Sequence, residues 1–185
     1  MSRINHVNVL VAARGEGKTT YIIEKILPST SQETVIIVDT FDHPAYNDIA
    51  TDITINDIHK LEKGVFHLWG SDTEAIMDAL NKRASNALII YEDATKYIKK
   101  VLTKDVEKLV LDTKQKNIDM ILMFHKFSKV PSDLFSYADS VTFFRTKEVI
   151  ENQKSRLDFY DDLIGPYLKL KANKAQYVKP VTILL

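Results

Sequence analysis

A short apolar segment that runs directly into a glycine-containing loop constrains the fold of this chain more than any other feature. The segment from Val7 to Ala13 is continuously apolar, as a strand buried on both faces should be. The loop that follows contains Gly15 and Gly17, and we predict a helix from Lys18 to Leu27 that ends before Pro28. Strand, loop and helix in this order predict a phosphate-binding loop, because backbone N–H groups at a helix N-terminus point toward an anion.

The residue types in this loop are typical of a site for a nucleoside triphosphate. The glycines permit the torsions and the close backbone approach that a side chain would block. Lys18 can reach the β and γ phosphates, and the Thr19 hydroxyl can ligate Mg²⁺. The strict pattern has Gly where this chain has Ala12, the mildest replacement, and the alternative is a chance glycine turn. The residues expected to bind ATP are Ala13, Arg14, Gly15, Glu16, Gly17, Lys18, Thr19 and Thr20.

Apolar blocks of strand length alternate with longer stretches of helical period along the chain. This alternation predicts an α/β fold, the three-layer α/β/α sandwich of a P-loop NTPase with a mostly parallel central sheet. The sequence shows no repeat or linker, and we expect residues 1–185 to form one domain. The predicted strands are Val7–Ala13, Thr34–Asp39, Val65–Trp69, Ala87–Tyr91, Ile118–Phe124 and Ser140–Phe144.

Apolar period and capping residues predict the remaining helices. Ser71, with Glu74 three residues later, should cap a helix that continues through Ser85. A long helix is expected from about Thr95 to Lys116, with one apolar face. The C-terminal elements are predicted to be a helix at Glu148–Leu163, a break at Gly165–Pro166 and an edge strand at Val178–Leu185.

Charge and cysteine content exclude several classes of protein. Twenty-five basic and 25 acidic residues cancel, so no net charge indicates nucleic acid or a membrane, although a local basic surface can still bind DNA. The chain has no cysteine, which excludes disulfides and thiolate metal sites and is typical of a reducing cytosol. The apolar runs are strand-sized and too short to span a bilayer. We therefore expect a soluble protein without a membrane segment.

Two carboxylates directly follow the predicted strand Ala87–Tyr91. P-loop hydrolases need a carboxylate at the end of a neighbouring strand for the Mg²⁺ shell, and usually another to polarise water. Aligned with the pattern DEAxxYI, the segment EDATKYI makes Glu92 the Mg²⁺-side group and Asp93 the water-activating group, in reversed order. A slip of one residue would give these roles to Tyr91 and Glu92. Alternatively, a helix N-terminus that favours acids would explain one carboxylate.

Three segments together are characteristic of a known family: ARGEGKTT, then IIYEDATKYI, then TKQKNIDMILMFHKFSKVPSDLFSYADSVTFF. They span roughly Val7 to Arg145 and resemble the FtsK/HerA superfamily of DNA-pumping ATPases, particularly its small viral genome-packaging members. Zonula-occludens-toxin-like phage assembly ATPases are related. The resemblance implies ATP and Mg²⁺ as cofactors, assembly into a ring (a pentamer or hexamer), and non-specific binding of double-stranded DNA. It also implies a capsid or vertex protein as partner, and a place in the host cytoplasm and the virion.

The resemblance implies two further kinds of site residue. His125 stands where the family usually has a Gln that senses the γ-phosphate, although a His can also simply end a strand. The family's arginine finger, which acts on the neighbouring subunit, corresponds to Lys114 or Lys116. Lys lacks the bidentate fork of Arg, so Arg145 and Arg83 are the other candidates.

Two groups of lysines are candidates for tracking DNA phosphates without reading sequence. The first group has i, i+4 spacing along the predicted long helix, and the second lies near the C-terminus. The alternative for both is a solvated helix face. The first group is Lys96, Lys100, Lys104 and Lys108, and the second is Lys169, Lys171, Lys174 and Lys179.

Other functions use a similar loop. A small-molecule kinase often has this length but usually needs an arginine-rich lid, and only Arg145 and Arg156 follow the acidic pair. GTPases have an NKxD motif, which NKRA at Asn81 does not match, and partition ATPases have an early lysine where Ala13 stands. A phage-extrusion or conjugation ATPase of the same superfamily normally has a membrane anchor. We therefore expect an ATP-hydrolysing motor that packages double-stranded DNA into a viral capsid.

Overall fold

A central sheet organises the molecule. The computed structural model of the chain describes residues 5–98, 102, 104–175 and 178–185. The strands in these residues are β1 (Val7–Val11), β2 (Thr34–Asp39), β3 (Thr51–Ile53), β4 (Gly64–Trp69), β5 (Ala87–Tyr91), β6 (Ile118–Phe124), β7 (Ser140–Phe143) and β8 (Val181–Leu184). Their order across the sheet is β3-β4-β2-β5-β6-β1-β7-β8. All neighbours pair in parallel except β7 and β8, which are antiparallel.

The strand predictions are confirmed to within two residues at each end. The central strands β1, β2 and β5 are buried along their whole length, which explains why they are mostly apolar, with Asn8, Thr34 and Asp39 as buried polar exceptions. The predicted C-terminal edge strand is also present, as β8. Strand β3 was missed because it is only three residues long, TDI, and largely exposed, so it has no apolar run to detect.

Helices cover both faces of the sheet, as the three-layer prediction requires. The α-helical segments are α1 (Lys18–Tyr21), α2 (Leu27–Ser29), α3 (Thr73–Arg83), α4 (Lys104–Leu111), α5 (Thr113–Lys116), α6 (Ser132–Tyr137) and α7 (Tyr160–Ala172). A π-helical stretch, Ile22–Ile26, joins α1 to α2 into one continuous helix. No helix in the described part of the chain is long and apolar enough to cross a bilayer.

The two faces of the sheet bury different side chains of each strand. In β1, Val9 and Val11 belong to the larger cluster, which also contains buried residues of α3, α4, α6 and α7. Leu10 points to the opposite face and packs with Ile22 from the helix behind the glycine loop. This alternation follows from the two-residue period of a strand. The helix over residues 18–29 therefore rests on its own apolar cluster.

Two predicted helix boundaries are wrong: the end of the first helix and the start of α3. The first helix does not end before Pro28 but continues to Ser29. The π-helical stretch ends at Ile26, and Pro28 lies in the first turn of α2. A proline is tolerated there because the first N–H groups of a helical segment have no partner within it. The cap of α3 is Asp72 and not Ser71, because the Asp72 carboxylate accepts a hydrogen bond of 3.0 Å from Ala75 N.

The predicted long helix from Thr95 to Lys116 is not continuous. A 3₁₀ turn, Ala94–Lys96, follows β5 directly, and Tyr97 and Ile98 after it are not helical. The next α-helix among the described residues is α4 (Lys104–Leu111). Lys96 is therefore not on the helix that contains Lys104 and Lys108, while Lys100 lies outside the described residues. The i, i+4 spacing of the lysines predicted one helix face. Instead, Tyr97 and Ile98 are buried in the core directly after the 3₁₀ turn and are not helical.

The C-terminal helix also differs from its prediction. A 3₁₀ helix occupies Ile150–Arg156, and α7 then runs through Gly165 and Pro166 to Ala172. The buried residues of α7 recur every three or four positions on one face, so packing against the core outweighs the local preference of Gly and Pro to end a helix. These buried residues are Tyr160, Leu163, Tyr167 and Leu170.

The substitution Ile22→Ala tests the role of this small apolar cluster. Ile22 is fully buried under the helix that follows the glycine loop, so truncation should lower the free energy of unfolding by about 2–5 kcal/mol. Ile49→Ala is the matched control, because Ile49 is 38% exposed and should lose less than about 1 kcal/mol. Urea denaturation measures both, and equal losses would contradict the burial of Ile22.

Candidate active site

The glycine loop lies between β1 and α1 at the carboxyl edge of the parallel strands. Gly15 and Gly17 have φ of 79° and 87°, which side chains strongly disfavour. A Cβ on Gly15 would meet nothing within 4 Å, so the requirement there is the torsion and not space. Ala12 is buried at the end of β1 without a positive φ, which explains why Ala is tolerated at that position. Its backbone N donates a 3.0 Å hydrogen bond to Phe124 O.

The ammonium of Lys18 lies inside this loop. Its Nζ donates hydrogen bonds to Ala12 O at 3.2 Å and Ala13 O at 3.4 Å. Burial lowers the pKa of Lys18, while the nearby carboxylates of Glu92 and Asp93 oppose the shift. The loop thus surrounds a buried cation with backbone groups, as a site for phosphate oxygens requires.

His125 connects Lys18 to the acidic pair. Lys18 Nζ donates to His125 Nδ1 at 3.1 Å, and because an ammonium can only donate, the neutral ring has its proton on Nε2. That nitrogen lies 3.8 Å from Asp93 Oδ2. Burial lowers the pKa of His125, and the neighbouring Lys18 ammonium lowers it further. The ring is therefore neutral near pH 7, and it lies between the cation of the loop and the carboxylate of Asp93.

The carboxylate of Glu92 is buried and held by two hydroxyl groups. Its Oε1 accepts hydrogen bonds from Thr19 Oγ1 at 2.7 Å and from Tyr46 Oη at 2.6 Å. Burial raises the pKa of Glu92, and the hydrogen bonds from Tyr46 and Thr19 oppose the shift. A hydroxyl and a carboxylate side by side are the hard oxygen ligands that Mg²⁺ prefers, so Thr19 and Glu92 fit a magnesium site.

These side chains line one cleft of about 370 Å³, a volume in the range of ligand pockets. Two larger hollows, of about 540 and 560 Å³, lie elsewhere on the surface and contain none of the residues expected to bind nucleotide. The residues that line the cleft are Arg14, Gly15, Lys18, Thr19, Asp39, Phe41, His43, Glu92, Asp93, Lys96 and His125.

Solved structures with this architecture are known, although the sequence alone finds no relative. No family model and no curated protein matches the chain. The genome packaging NTPase B204 from Sulfolobus turreted icosahedral virus 2, in complex with ATP-gammaS, matches with a TM-score of 0.72 at 20% identity, over 92% of this chain and 88% of B204. B204 from Sulfolobus turreted icosahedral virus, described as a DNA-packaging ATPase, matches with a TM-score of 0.69 at 16% identity, over 89% of each chain.

The chain has a P-loop NTPase fold. The N-terminal domain of zonular occludens toxin from Neisseria meningitidis is a more distant match, with a TM-score of 0.51 at 10% identity over 80% of each chain. The resemblance inferred from the sequence motifs, to viral packaging ATPases and to zonula-occludens-toxin-like proteins, is thus confirmed as a likeness of fold.

Tyr91 and Glu92, the two residues of the alternative alignment, lie on different sides of β5. Tyr91 is 1% exposed and packs in the core against Tyr97, on the face of β5 away from the phosphate loop. Glu92, by contrast, contacts Thr19. The residue beside the Thr19 hydroxyl is therefore Glu92 and not Tyr91, while the roles of Glu92 and Asp93 stay predictions.

Arg145 lies beside the phosphate loop of its own chain. Its Nε donates to Glu16 Oε2 at 2.7 Å, and its Nη1 donates to Asn173 O at 3.0 Å and Ala175 O at 2.9 Å. Ala13 N in turn donates to Arg145 O at 3.0 Å. This arginine therefore anchors the Glu16 side chain, and with it the phosphate loop, to the end of β7.

The other candidate fingers lie away from the cleft. Lys114 is exposed on α5, ahead of β6, whereas His125 follows that strand. At about 3.3 Å per residue, the two ends of β6 are on the order of 20 Å apart. Lys116 Nζ donates to Asn81 O, and Arg83 Nη1 donates to Ile55 O at 2.7 Å. A finger at any of these positions could act only on a neighbouring subunit.

The sequence analysis missed the far wall of the cleft. Asp39 is buried at the end of β2, and the segment FDHPAYND after it, interpreted only as a loop, contributes Phe41, His43 and Tyr46. Asp39 could have been found, because β2 ends at the same edge of the sheet as β1 and β5. Tyr46 could not, since its place in an irregular loop leaves no pattern in the sequence.

Removing the Tyr46 hydroxyl should weaken the magnesium site without unfolding the protein. Tyr46→Phe keeps the buried ring but takes one of two donors from Glu92 Oε1, so the carboxylate is less well oriented. We expect the Mg²⁺ affinity, measured as the Mg²⁺ dependence of fluorescent ATP-analogue binding, to fall about 10–100-fold.

Two comparisons distinguish this effect from general damage. Tyr97→Phe is the matched control, because Tyr97 is also a buried tyrosine but its hydroxyl makes no hydrogen bond within the described residues. It should leave the Mg²⁺ dependence unchanged. A Tyr46→Phe protein with wild-type Mg²⁺ dependence would show that Tyr46 does not orient Glu92.

Proposed function

We propose that this protein is an ATP-hydrolysing motor that translocates double-stranded DNA and packages a viral genome into a capsid. One observation supports this most directly: Lys18, Thr19, Glu92, Asp93 and His125 converge in a single cleft. This set comprises a phosphate-binding lysine, two oxygen ligands for a metal, a carboxylate beside water and a polar side chain between them. The same fold occurs in the viral packaging NTPase B204, which was solved with ATP-gammaS.

Each side chain has a role in the proposed hydrolysis. The N–H groups of the phosphate loop and the Lys18 ammonium hold the β and γ phosphates. Thr19 and Glu92 would hold Mg²⁺, which supplies positive charge to the phosphate oxygens when bound. Asp93 orients the attacking water, since its side chain is 18% exposed in the cleft and hence reachable by solvent. His125 takes the sensor position because it contacts both Lys18 and Asp93.

The motor is proposed to act as a ring, a pentamer or a hexamer, in which a cation of one subunit completes the site of the next. Arg145 is held by Glu16 of its own chain, so its release would cost an ion pair beside the phosphate loop. Lys114 is exposed at the opposite edge of the sheet and needs no such release. We therefore favour Lys114 as the group that acts in trans.

DNA is proposed to contact exposed lysines through its phosphates. Lys104 and Lys108 are exposed on α4, four residues apart and therefore on one side of the helix. Lys169 and Lys174 are exposed near the end of α7. Such contacts neutralise phosphate charge without sequence preference, as a packaging motor requires. A capsid or vertex protein is the proposed docking partner, and the virion the proposed destination.

ATP turnover with and without double-stranded DNA tests this function. The wild-type protein, at concentrations that span assembly, should hydrolyse ATP faster when DNA is present. Asp93→Asn should lower kcat by about 10²–10⁴-fold while nucleotide binding persists, because only the orientation of water is lost. Lys18→Ala should lose nucleotide binding as well, since it removes the buried cation of the phosphate loop.

Asp48→Asn is the matched control, because Asp48 is exposed in the loop after β2 and does not line the cleft. It should hydrolyse ATP at the wild-type rate. Transfer of phosphate to a nucleoside or nucleotide, without stimulation by DNA, would indicate a kinase and refute the motor. Wild-type turnover by Asp93→Asn would refute the role of that carboxylate.

A further inference from the structure

Lys96 belongs to the nucleotide cleft and not to a row of lysines on a helix. It ends the 3₁₀ turn Ala94–Lys96 that directly follows the acidic pair. Its Nζ donates a 2.9 Å hydrogen bond to Thr40 Oγ1 and lies 6.0 Å from the ring centroid of Phe41. Both partners are in the segment after β2. The lysine therefore extends from the end of β5 to the end of β2 and closes the wall opposite the phosphate loop.

Both direct contacts of the Lys96 ammonium within the described residues are uncharged. Asp39 is a charged neighbour: burial raises the pKa of Asp39, and Lys96 opposes that shift without a close ion pair. A threonine hydroxyl and a phenylalanine ring hold a cation only weakly. The side chain is exposed, so it can move without disturbing the core. By contrast, Arg145 beside the same loop is paired with Glu16. Among these two cations near the site, Lys96 is the one that an anionic ligand can recruit without breaking an ion pair.

The sheet order determines which part of a nucleotide faces Lys96. From the phosphate loop the strands run β1, β6, β5 and β2, and neighbouring strands lie about 4.8 Å apart. Lys18 and Thr19 lie after β1, at the first of these strands. Thr19 donates a hydrogen bond to Glu92 at the end of β5. For a triphosphate held by Lys18 and Thr19, the wall formed by Lys96 and Thr40 therefore lies on the side away from the phosphate loop.

We propose that Lys96 is a catalytic residue whose ammonium binds an oxygen of the γ-phosphate within its own subunit. This deepens the proposed ATPase function and rests on it. In phosphoryl transfer, negative charge spreads over the three equatorial oxygens of the transferred group, and a cation on an oxygen that faces away from the phosphate loop stabilises the transition state. Lys18 approaches from the loop side, so Lys96 supplies charge from the opposite side. The site then has a positive charge at its far wall before any neighbouring subunit contributes one.

The affinity ratio of two nucleotides tests this contact without DNA. Binding of ADP and of the non-hydrolysable analogue AMPPNP is measured by calorimetry with Mg²⁺ present, for the wild type and Lys96→Gln. We expect Lys96→Gln to bind AMPPNP about tenfold or more weakly, because a charge-assisted hydrogen bond to the terminal phosphate is lost. ADP has no γ-phosphate, so its affinity should change less than about twofold.

Two further variants make the test specific. Lys96→Arg keeps a cation at the same place and should restore most of the preference for AMPPNP. Lys63→Gln removes an exposed lysine that is paired with Glu33 and does not line the cleft, so it should leave both affinities unchanged. In turnover assays without DNA, kcat of Lys96→Gln should fall about 10²-fold or more.

Several outcomes would overturn the proposal. A wild-type ratio of AMPPNP to ADP affinity in Lys96→Gln would refute the contact, and so would an equal loss of both. If Lys96→Gln bound DNA more weakly but kept the wild-type ratio of AMPPNP to ADP affinity, Lys96 would instead be one of the lysines that bind DNA. These outcomes can be distinguished from failure of the motor hypothesis. The ratio of AMPPNP to ADP affinity is measured without DNA, whereas the motor hypothesis is refuted if DNA leaves the wild-type rate of ATP turnover unchanged.

Discussion

One buried carboxylate oxygen joins three separate parts of the chain at the active edge of the sheet. Glu92 Oε1, at the end of β5, accepts hydrogen bonds from Thr19 at the start of α1 and from Tyr46 in the loop after β2. A buried carboxylate is costly unless donors satisfy it. The phosphate loop helix, the acidic strand and the far wall of the cleft are therefore each positioned by the same group.

The order of the strands determines how these parts communicate. Because β6 lies between β1 and β5, the residue after β6 is placed between the phosphate loop and the acidic pair. That residue is His125, and the turn beyond it is also fixed, since Glu148 accepts hydrogen bonds from Phe127 N at 2.6 Å and Ser128 N at 3.0 Å. A change at the γ-phosphate that moved His125 would thus reach the segment after β7.

The parallel sheet and the near wall of the cleft could be predicted from the sequence, because both leave regular patterns. Buried parallel strands are apolar runs, and their carboxyl ends share one edge, so Lys18, Glu92 and His125 were expected together. Tyr46 and Lys96 were not expected there. Each ends a short 3₁₀ turn, Pro44–Tyr46 and Ala94–Lys96, and such turns leave no periodic pattern in the sequence. The roles of the individual residues, and a single domain over residues 1–185, stay predictions.

The charges of the cleft make metal and nucleotide binding depend on each other. Three carboxylates, Asp39, Glu92 and Asp93, line the same cleft as the cations Arg14, Lys18 and Lys96. Burial raises the pKa of Asp39, and the hydrogen bond from Thr40 N, together with nearby groups that include Lys96, opposes the shift. A bare triphosphate would meet these acids with its own negative charge, whereas a metal held by Thr19 and Glu92, as proposed, would reduce that repulsion. Since coupling between two ligands is reciprocal, the nucleotide must strengthen metal binding by the same factor that the metal strengthens nucleotide binding.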